Sequence, residues 1–191
     1  DLWQTLPNDY EAIDNFCITR KISTPVNERL VDLIKSTVHQ VLTKNPDTIF
    51  AMSLLSMWSQ PVCELFCKII RDTCNNKIII GGQGIGEEQW TRAQKNQNLI
   101  DHYIVGEGEI TFRKFIQGHR NMPGFDNFNF KQIDNLDEYC VIPNYGKLLE
   151  HTYPFLIERQ DIFITASRGC VRNCGYCDIG HQWKKFRYRS A

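Results

Sequence analysis

Three cysteines near the carboxyl end, in Arg168-Gly-Cys170-Val-Arg-Asn-Cys174-Gly-Tyr-Cys177-Asp, stand at a C-x3-C-x2-C spacing. They follow an apolar run, Ile162-Phe-Ile-Thr-Ala-Ser, that reads as a strand. Thiolates so spaced on a loop can converge on one cofactor, with Gly169 and Gly175 permitting tight turns. No fourth cysteine stands beside them. Four iron atoms held by three cysteines leave one iron open to direct coordination by a small molecule. A rival is a structural zinc site, which asks for four ligands, usually as paired C-x2-C units. His181, four residues after Cys177, would have to complete that set in a zinc-stabilised, non-enzymatic binding module. A disulfide framework fits poorly, because eight cysteines in 191 residues is modest and nothing resembles a signal peptide.

Cys170, Cys174 and Cys177, with the aromatic Tyr176 before the third cysteine, resemble the cluster motif of radical S-adenosylmethionine enzymes. The resemblance implies a [4Fe-4S] cluster on the three cysteines and Tyr176 packed by the cluster and the adenine of S-adenosylmethionine. It further implies that the open iron binds the amino and carboxylate groups of S-adenosylmethionine. One electron, from a donor such as flavodoxin or ferredoxin, would then cleave it to a 5'-deoxyadenosyl radical that abstracts hydrogen from an organic substrate. The substrate is not named by these residues.

The elements that position this loop read as follows. A strand is expected from Tyr10 to Phe16, with Cys17 a small buried hydrophobe just beyond it. Thr24-Pro25 opens a helix in which Val26, Leu30, Leu33, Ile34, Val38, Val41 and Leu42 recur at helical spacing, leaving His39 beside the stripe. The run from Asp47 to Ser56 reads as a central parallel strand covered on both faces. A helix follows from Ser59-Gln60-Pro61 to about Asn75, then a buried strand Lys77–Ile80 stopping at Gly81-Gly82-Gln83-Gly84. Cys63, Cys67 and Cys74 share one helical face and are read as buried packing. A polar helix over 87–96, a strand over Leu99–Val105 running into Gly106-Glu-Gly-Glu109, and then a helix through Phe112, Phe115 and Ile116 complete a strand-helix alternation that implies a parallel sheet.

From Gly118 to about Gln160, turn-rich composition predicts a linker with a short helix around Ile133, Leu136 and Tyr139 and a buried Cys140. The expected organisation is therefore an α/β domain over 1–118, a linker over 119–160 and a last segment over 161–191. The first would be a flavodoxin-like, Rossmann-like parallel sheet with helices on both faces. The last would be the first strand and cluster loop of a radical S-adenosylmethionine (β/α) barrel. Such a barrel takes ~200 residues or more, and the chain begins at Asp1 and stops at Ala191, so a piece cut at both ends is expected.

Parallel sheets bind ligands beyond the carboxyl ends of their strands. Ser53-Leu-Leu55 and, after 25 intervening residues, Gly81-Gly82 look like the S-x-L and G-G elements of cobalamin-binding domains. Val105-Gly-Glu-Gly-Glu109 is similar to the strand-end signature of such domains fused to radical S-adenosylmethionine barrels. The resemblance implies cofactor contacts from Ser53, Leu55, Ser56, Gly81, Gly82, Gly84, Gly106, Glu107 and Gly108. Glu107 and Glu109 have a rival explanation as acids entering a helix, where the dipole stabilises them by ~0.3–1 kcal/mol. The D-x-H-x-x-G element that supplies a histidine to cobalt is absent: no histidine precedes His39, and His102 follows Asp101 directly. The two outcomes left open are cobalamin without histidine ligation, serving methyl transfer, and a domain that keeps the fold without the cofactor as a substrate or partner platform.

The chain carries 22 basic and 22 acidic residues. That balance gives no global reason to invoke nucleic acid, and no apolar run approaches a membrane span. The basic and aromatic Gln182-Trp-Lys-Lys-Phe-Arg-Tyr-Arg189 is read as an intradomain element, because relatives carry a similar W-x3-(F/Y)-R-x-R-S stretch leading into the first barrel helix. Reduced thiols and an oxygen-sensitive cluster fit a cytoplasmic setting.

Overall fold

The computed structural model describes residues 16–20, 25–129, 132–139, 165–172, 174–177, 179, 183 and 185–190, with only the backbone of Pro25, Val26 and Tyr139. The expected strand over 10–15, the N-cap at Thr24, Cys140, His181 and most of the expected 119–160 linker lie outside these residues. The chain divides into two compact units, 1–131 and 132–191.

In the first unit, α1 (Pro25–Lys44) buries Leu30, Ile34 and Val38, one every four residues, while His39 on its other side is exposed. The chain then alternates β1 (Phe50–Ser53), α2 (Gln60–Thr73), β2 (Ile78–Gly81), α3 (Glu88–Asn96), β3 (His102–Ile104) and α4 (Gly108–Ile116). The three strands are parallel in the order β1-β2-β3. β2 is the middle strand, and Ile78, Ile79 and Ile80 are all buried. Each contributes roughly 1.5–3 kcal/mol through removal from water. Side chains alternate across the pleat. Ile78, Ile80 and Tyr103 join the core built on α1 and α2, and Ile79 and Ile104 join a second cluster with Phe115 of α4, Met122 and Phe125. The sheet thus has helices on both faces, the mixed α/β architecture expected of a Rossmann-like unit.

Three expectations are corrected here. β1 is an edge of the described sheet rather than a central strand: Phe50 and Met52 pack on the core while Ala51 and Ser53 are exposed. Phe16, the expected end of a strand, lies in a helical turn over 16–19. Residues 119–129 are not free linker, because after α4 the chain returns along β3. There Val105 N–H donates to the Gly124 carbonyl at 2.8 Å, Ile104 bridges Phe125 in antiparallel fashion, and Asp126 N–H donates to the Tyr103 carbonyl at 3.0 Å. This return covers backbone groups that an open sheet edge would expose.

In the second unit, α5 (Leu136–Tyr139) is a single turn whose Leu136 is fully buried beside the buried Ile133 in sequence. β4 (Ser167–Arg168) and β5 (Arg187–Tyr188) form an antiparallel ribbon. The stretch expected to lead into a barrel helix is therefore strand at Arg187–Tyr188, in keeping with the strand preference of its aromatic neighbours. No barrel is formed among the described residues.

Candidate functional site

The cysteine loop leaves β4 and returns into β5. Its neck is tight: Gly169 stands at φ +86°, and a Cβ there would lie 2.5 Å from the Lys185 carbonyl oxygen. Glycine is required by this close approach. Gly175 differs from the expectation, since a Cβ on it would meet nothing within 4 Å and its backbone does not enter the left-handed region. Cys170 is exposed, and Cys174 and Cys177 are half-buried. Arg172 N–H donates to Cys170 Sγ at 3.3 Å, and Cys177 N–H closes a turn on the Cys174 carbonyl at 3.0 Å. Tyr176 is 93% exposed.

Among the described residues no three His, Cys, Asp or Glu side chains are gathered to a common point. The three thiols are carried on one accessible loop. Soft sulfur donors with backbone N–H groups near them suit an iron-sulfur cluster, so the donor set fits the group that the spacing implies.

The carboxyl ends of the three strands lie side by side, Ser53 in register with Gly81 and Gly81 with Ile104. The loops that leave them are knitted together. Leu54 N–H donates to the Gly81 carbonyl at 2.8 Å, Gly84 N–H to the Leu54 carbonyl at 2.9 Å, and the buried Gln60 Nε2 to the Gly84 carbonyl at 2.7 Å. Gly82 stands at φ +90°, where an added Cβ would lie 2.4 Å from the Leu54 oxygen and 2.9 Å from Ser53 Oγ. At Gly84 the obstacle is the Ser56 oxygen, also at 2.4 Å. In the direction a Cβ would take, both glycines therefore face the chain's own first loop. Gly81 would meet only ordinary contacts, as would Gly108, and Gly106 stands at φ +83°. Glu107 is buried at the N-cap of α4 and Glu109 is exposed in its first turn, the placement that the helix dipole favours. Leu55, Met57 and Trp58 are 80%, 59% and 77% exposed, an apolar ledge following β1.

Neither candidate histidine reaches this edge as a ligand. His102 begins β3, its Nδ1 2.8 Å from Asp126 Oδ2 and its ring packed on Phe115 and Phe125. His39 is exposed in mid-helix. Cys63 and Cys67 are buried in the core, Cys74 is half-buried, and a hydrogen bond with Cys63 together with burial pushes the Cys67 thiol up, so it stays protonated. Cys17, expected to be buried, is half-buried and its thiol donates to the Trp58 carbonyl at 3.5 Å. Sequence reasoning overlooked the partners of Trp183 and Arg187, although the basic and aromatic mix of that stretch was the signal.

No protein-family model matches the chain, and no solved structure matches it. Among the described residues no helix is long and apolar enough to cross a membrane. A Methanocaldococcus jannaschii protein carrying the provisional name methylthiotransferase is 34% identical over 95 residues, which is 44% of this chain and 19% of that protein. The anaerobic magnesium-protoporphyrin IX monomethyl ester cyclase of Synechocystis is 27% identical over 143 residues, 67% of this chain and 28% of the cyclase. The chain thus spans less than a third of the length of either relative, and both relatives are enzymes by name.

Proposed function

We propose that the chain is part of a radical S-adenosylmethionine enzyme in which Cys170, Cys174 and Cys177 hold a [4Fe-4S] cluster. The observation that carries this reading is the C-x3-C-x2-C loop itself, exposed at Cys170, pinned at its neck, and lacking a fourth cysteine. Support comes from the two relatives, whose named chemistries, methylthio transfer and an anaerobic cyclisation, are of the kind that such enzymes perform. When bound, the cluster would supply the electron that cleaves S-adenosylmethionine to a 5'-deoxyadenosyl radical. The protein's part is to bind and orient. Three thiolates would hold the cluster and leave it one site without a protein ligand, the Arg172 N–H steadies the Cys170 sulfur, and Tyr176 offers an exposed ring to pack beside the adenine. A flavodoxin or ferredoxin is the fitting electron donor. The relatives are named for different reactions, so neither names the substrate here.

For the first unit, the filled space at Gly82 and Gly84 favours a platform for substrate or partner over a cobalamin site, with Leu55, Met57 and Trp58 as its exposed face.

The test is anaerobic reconstitution of the full-length parent with iron and sulfide. Visible absorption and iron content should disappear when Cys170, Cys174 or Cys177 is replaced by alanine. Stoichiometric zinc, held by the same cysteines and resisting exchange for iron, would instead support the zinc module.

A further inference from the structure

Arg168 of β4 and Arg187 of β5 stand directly opposite one another in the ribbon. Like charges so placed repel, and a ribbon two residues long has little stability of its own to set against that. Trp183, a residue of the cysteine loop, offsets part of that repulsion. The Arg168 guanidinium lies 5.7 Å from its ring centre and that of Arg187 5.9 Å, both within cation–π range. Arg187 is also 4% exposed, donating through Nη1 to the Ile133 carbonyl and through Nε to the Lys185 carbonyl at 3.2 Å. Beyond it, Arg189 N–H donates to the Ala166 carbonyl at 2.9 Å, and Ser190 N–H to both Asp137 carboxylate oxygens at 3.1 Å. Trp183 N–H donates to the Ile179 carbonyl at 2.8 Å, which ties Trp183 to a residue two places after Cys177.

We infer that Arg168, Trp183 and Arg187 form a clasp that closes the cysteine loop and positions it for its cofactor, with Arg187 as the positioning residue that ties the loop to the 132–139 segment. This rests on the reading of the three cysteines as cluster ligands. A loop tethered at one end would lose conformational freedom when three of its thiols gathered on one cluster. Closing the neck beforehand removes part of that cost, as preorganisation does in any binding site. The clasp also fixes two positive charges beside a loop whose bound thiolates are negative, and groups around the ligands tune a site as well as hold it. Lysine at 187 would keep charge but lose the planar fork that reaches two carbonyls while facing the indole.

The test uses the full-length parent and the variants Arg187→Ala, Arg187→Lys, Trp183→Ala and Trp183→Phe. In the metal-free protein, hydrogen exchange at the Arg189 and Ser190 amides reports the neck. After anaerobic reconstitution, iron and sulfide retained against a mild chelator report the cluster. Arg187→Ala and Trp183→Ala should speed exchange at those two amides and lower cluster affinity about tenfold or more. Arg187→Lys should follow them, while Trp183→Phe, which keeps an aromatic face, should stay close to the parent. Parental exchange and parental retention in Arg187→Ala would overturn the clasp, as would loss of cluster with the neck still protected. If Arg187→Ala does not fold, the Trp183→Ala and Trp183→Phe pair decides, and equal behaviour of the two overturns the inference. A parent that takes up zinc and no cluster overturns the reading of the cysteines, and this inference with it.

Discussion

At Gly82 the backbone stands at φ +90° and an added Cβ would press on backbone of the neighbouring loop, two independent reasons for glycine. A side chain there is strained whatever space surrounds it. We therefore expect Gly82→Ala to destabilise the first unit by roughly 1–3 kcal/mol from the φ angle, with the contact at Leu54 adding to it. Gly175→Ala in the cysteine loop, where nothing lies within 4 Å, should leave stability unchanged. Urea unfolding of the two variants beside the parent checks this, and equal midpoints for Gly82→Ala and the parent would sink the argument. The contrast shows what a sequence conceals at this scale. Both glycines are equally easy to read as turn residues, but the need for glycine comes from loops distant in sequence: Leu54 for Gly82, Lys185 for Gly169. The cysteine spacing was legible because its chemistry lies within one short stretch, and the Arg168–Trp183–Arg187 contacts were not, because they depend on how two strands align.

Between elements, Asp101 joins α2 to the sheet. Its carboxylate accepts from the Arg71 guanidinium at 2.5 Å and from Ile78 N–H at 2.8 Å. Burial alone would raise its pKa, but the hydrogen bond from Arg71, the bond from Ile78 and the nearby charge of Arg71 outweigh it and hold the carboxyl below its usual 3.8. A depressed carboxylate pKa stabilises the fold at pH above the unfolded value and loses that contribution as pH falls through the folded one. Asp101→Asn should accordingly lower stability near neutral pH and flatten its fall below pH 3.8. Unfolding midpoints measured from pH 7 to pH 2.5 test it, and curves that stay parallel would show that the pair contributes nothing. Helices α1 and α2 and strand β2 were legible because their apolar positions follow the periods of the elements themselves. The edge position of β1 was not, because an apolar run such as Ile49 to Leu55 does not say which neighbours cover it. Nor was the return of 119–129 along β3, which Asp126 secures by accepting from Tyr103 N–H at 3.0 Å and pairing with Lys95 at 2.6 Å.

Across the whole molecule the two units raise separate questions of cofactor content. The cysteine loop has donors of the right chemistry and a closed neck, whereas the strand ends of the first unit have glycines whose open side is filled by Leu54 and Ser56. A serine and paired glycines at near-expected spacing are compatible with either a nucleotide-tail slot or a close approach of two loops, and the positions of the neighbouring atoms favour the second. The full-length parent, produced with hydroxocobalamin supplied and purified without oxygen, should therefore retain iron and sulfide but no stoichiometric corrin. Trp58 offers a second readout, because its exposed indole should keep its fluorescence when hydroxocobalamin is added at micromolar concentration. One corrin per chain, with quenching removed by Trp58→Phe, would overturn the platform reading and show that the loops part. The Co(II) form would then report what replaced them, since nitrogen hyperfine splitting lost on His102→Ala would require β3 and the Asp126 return to rearrange as well.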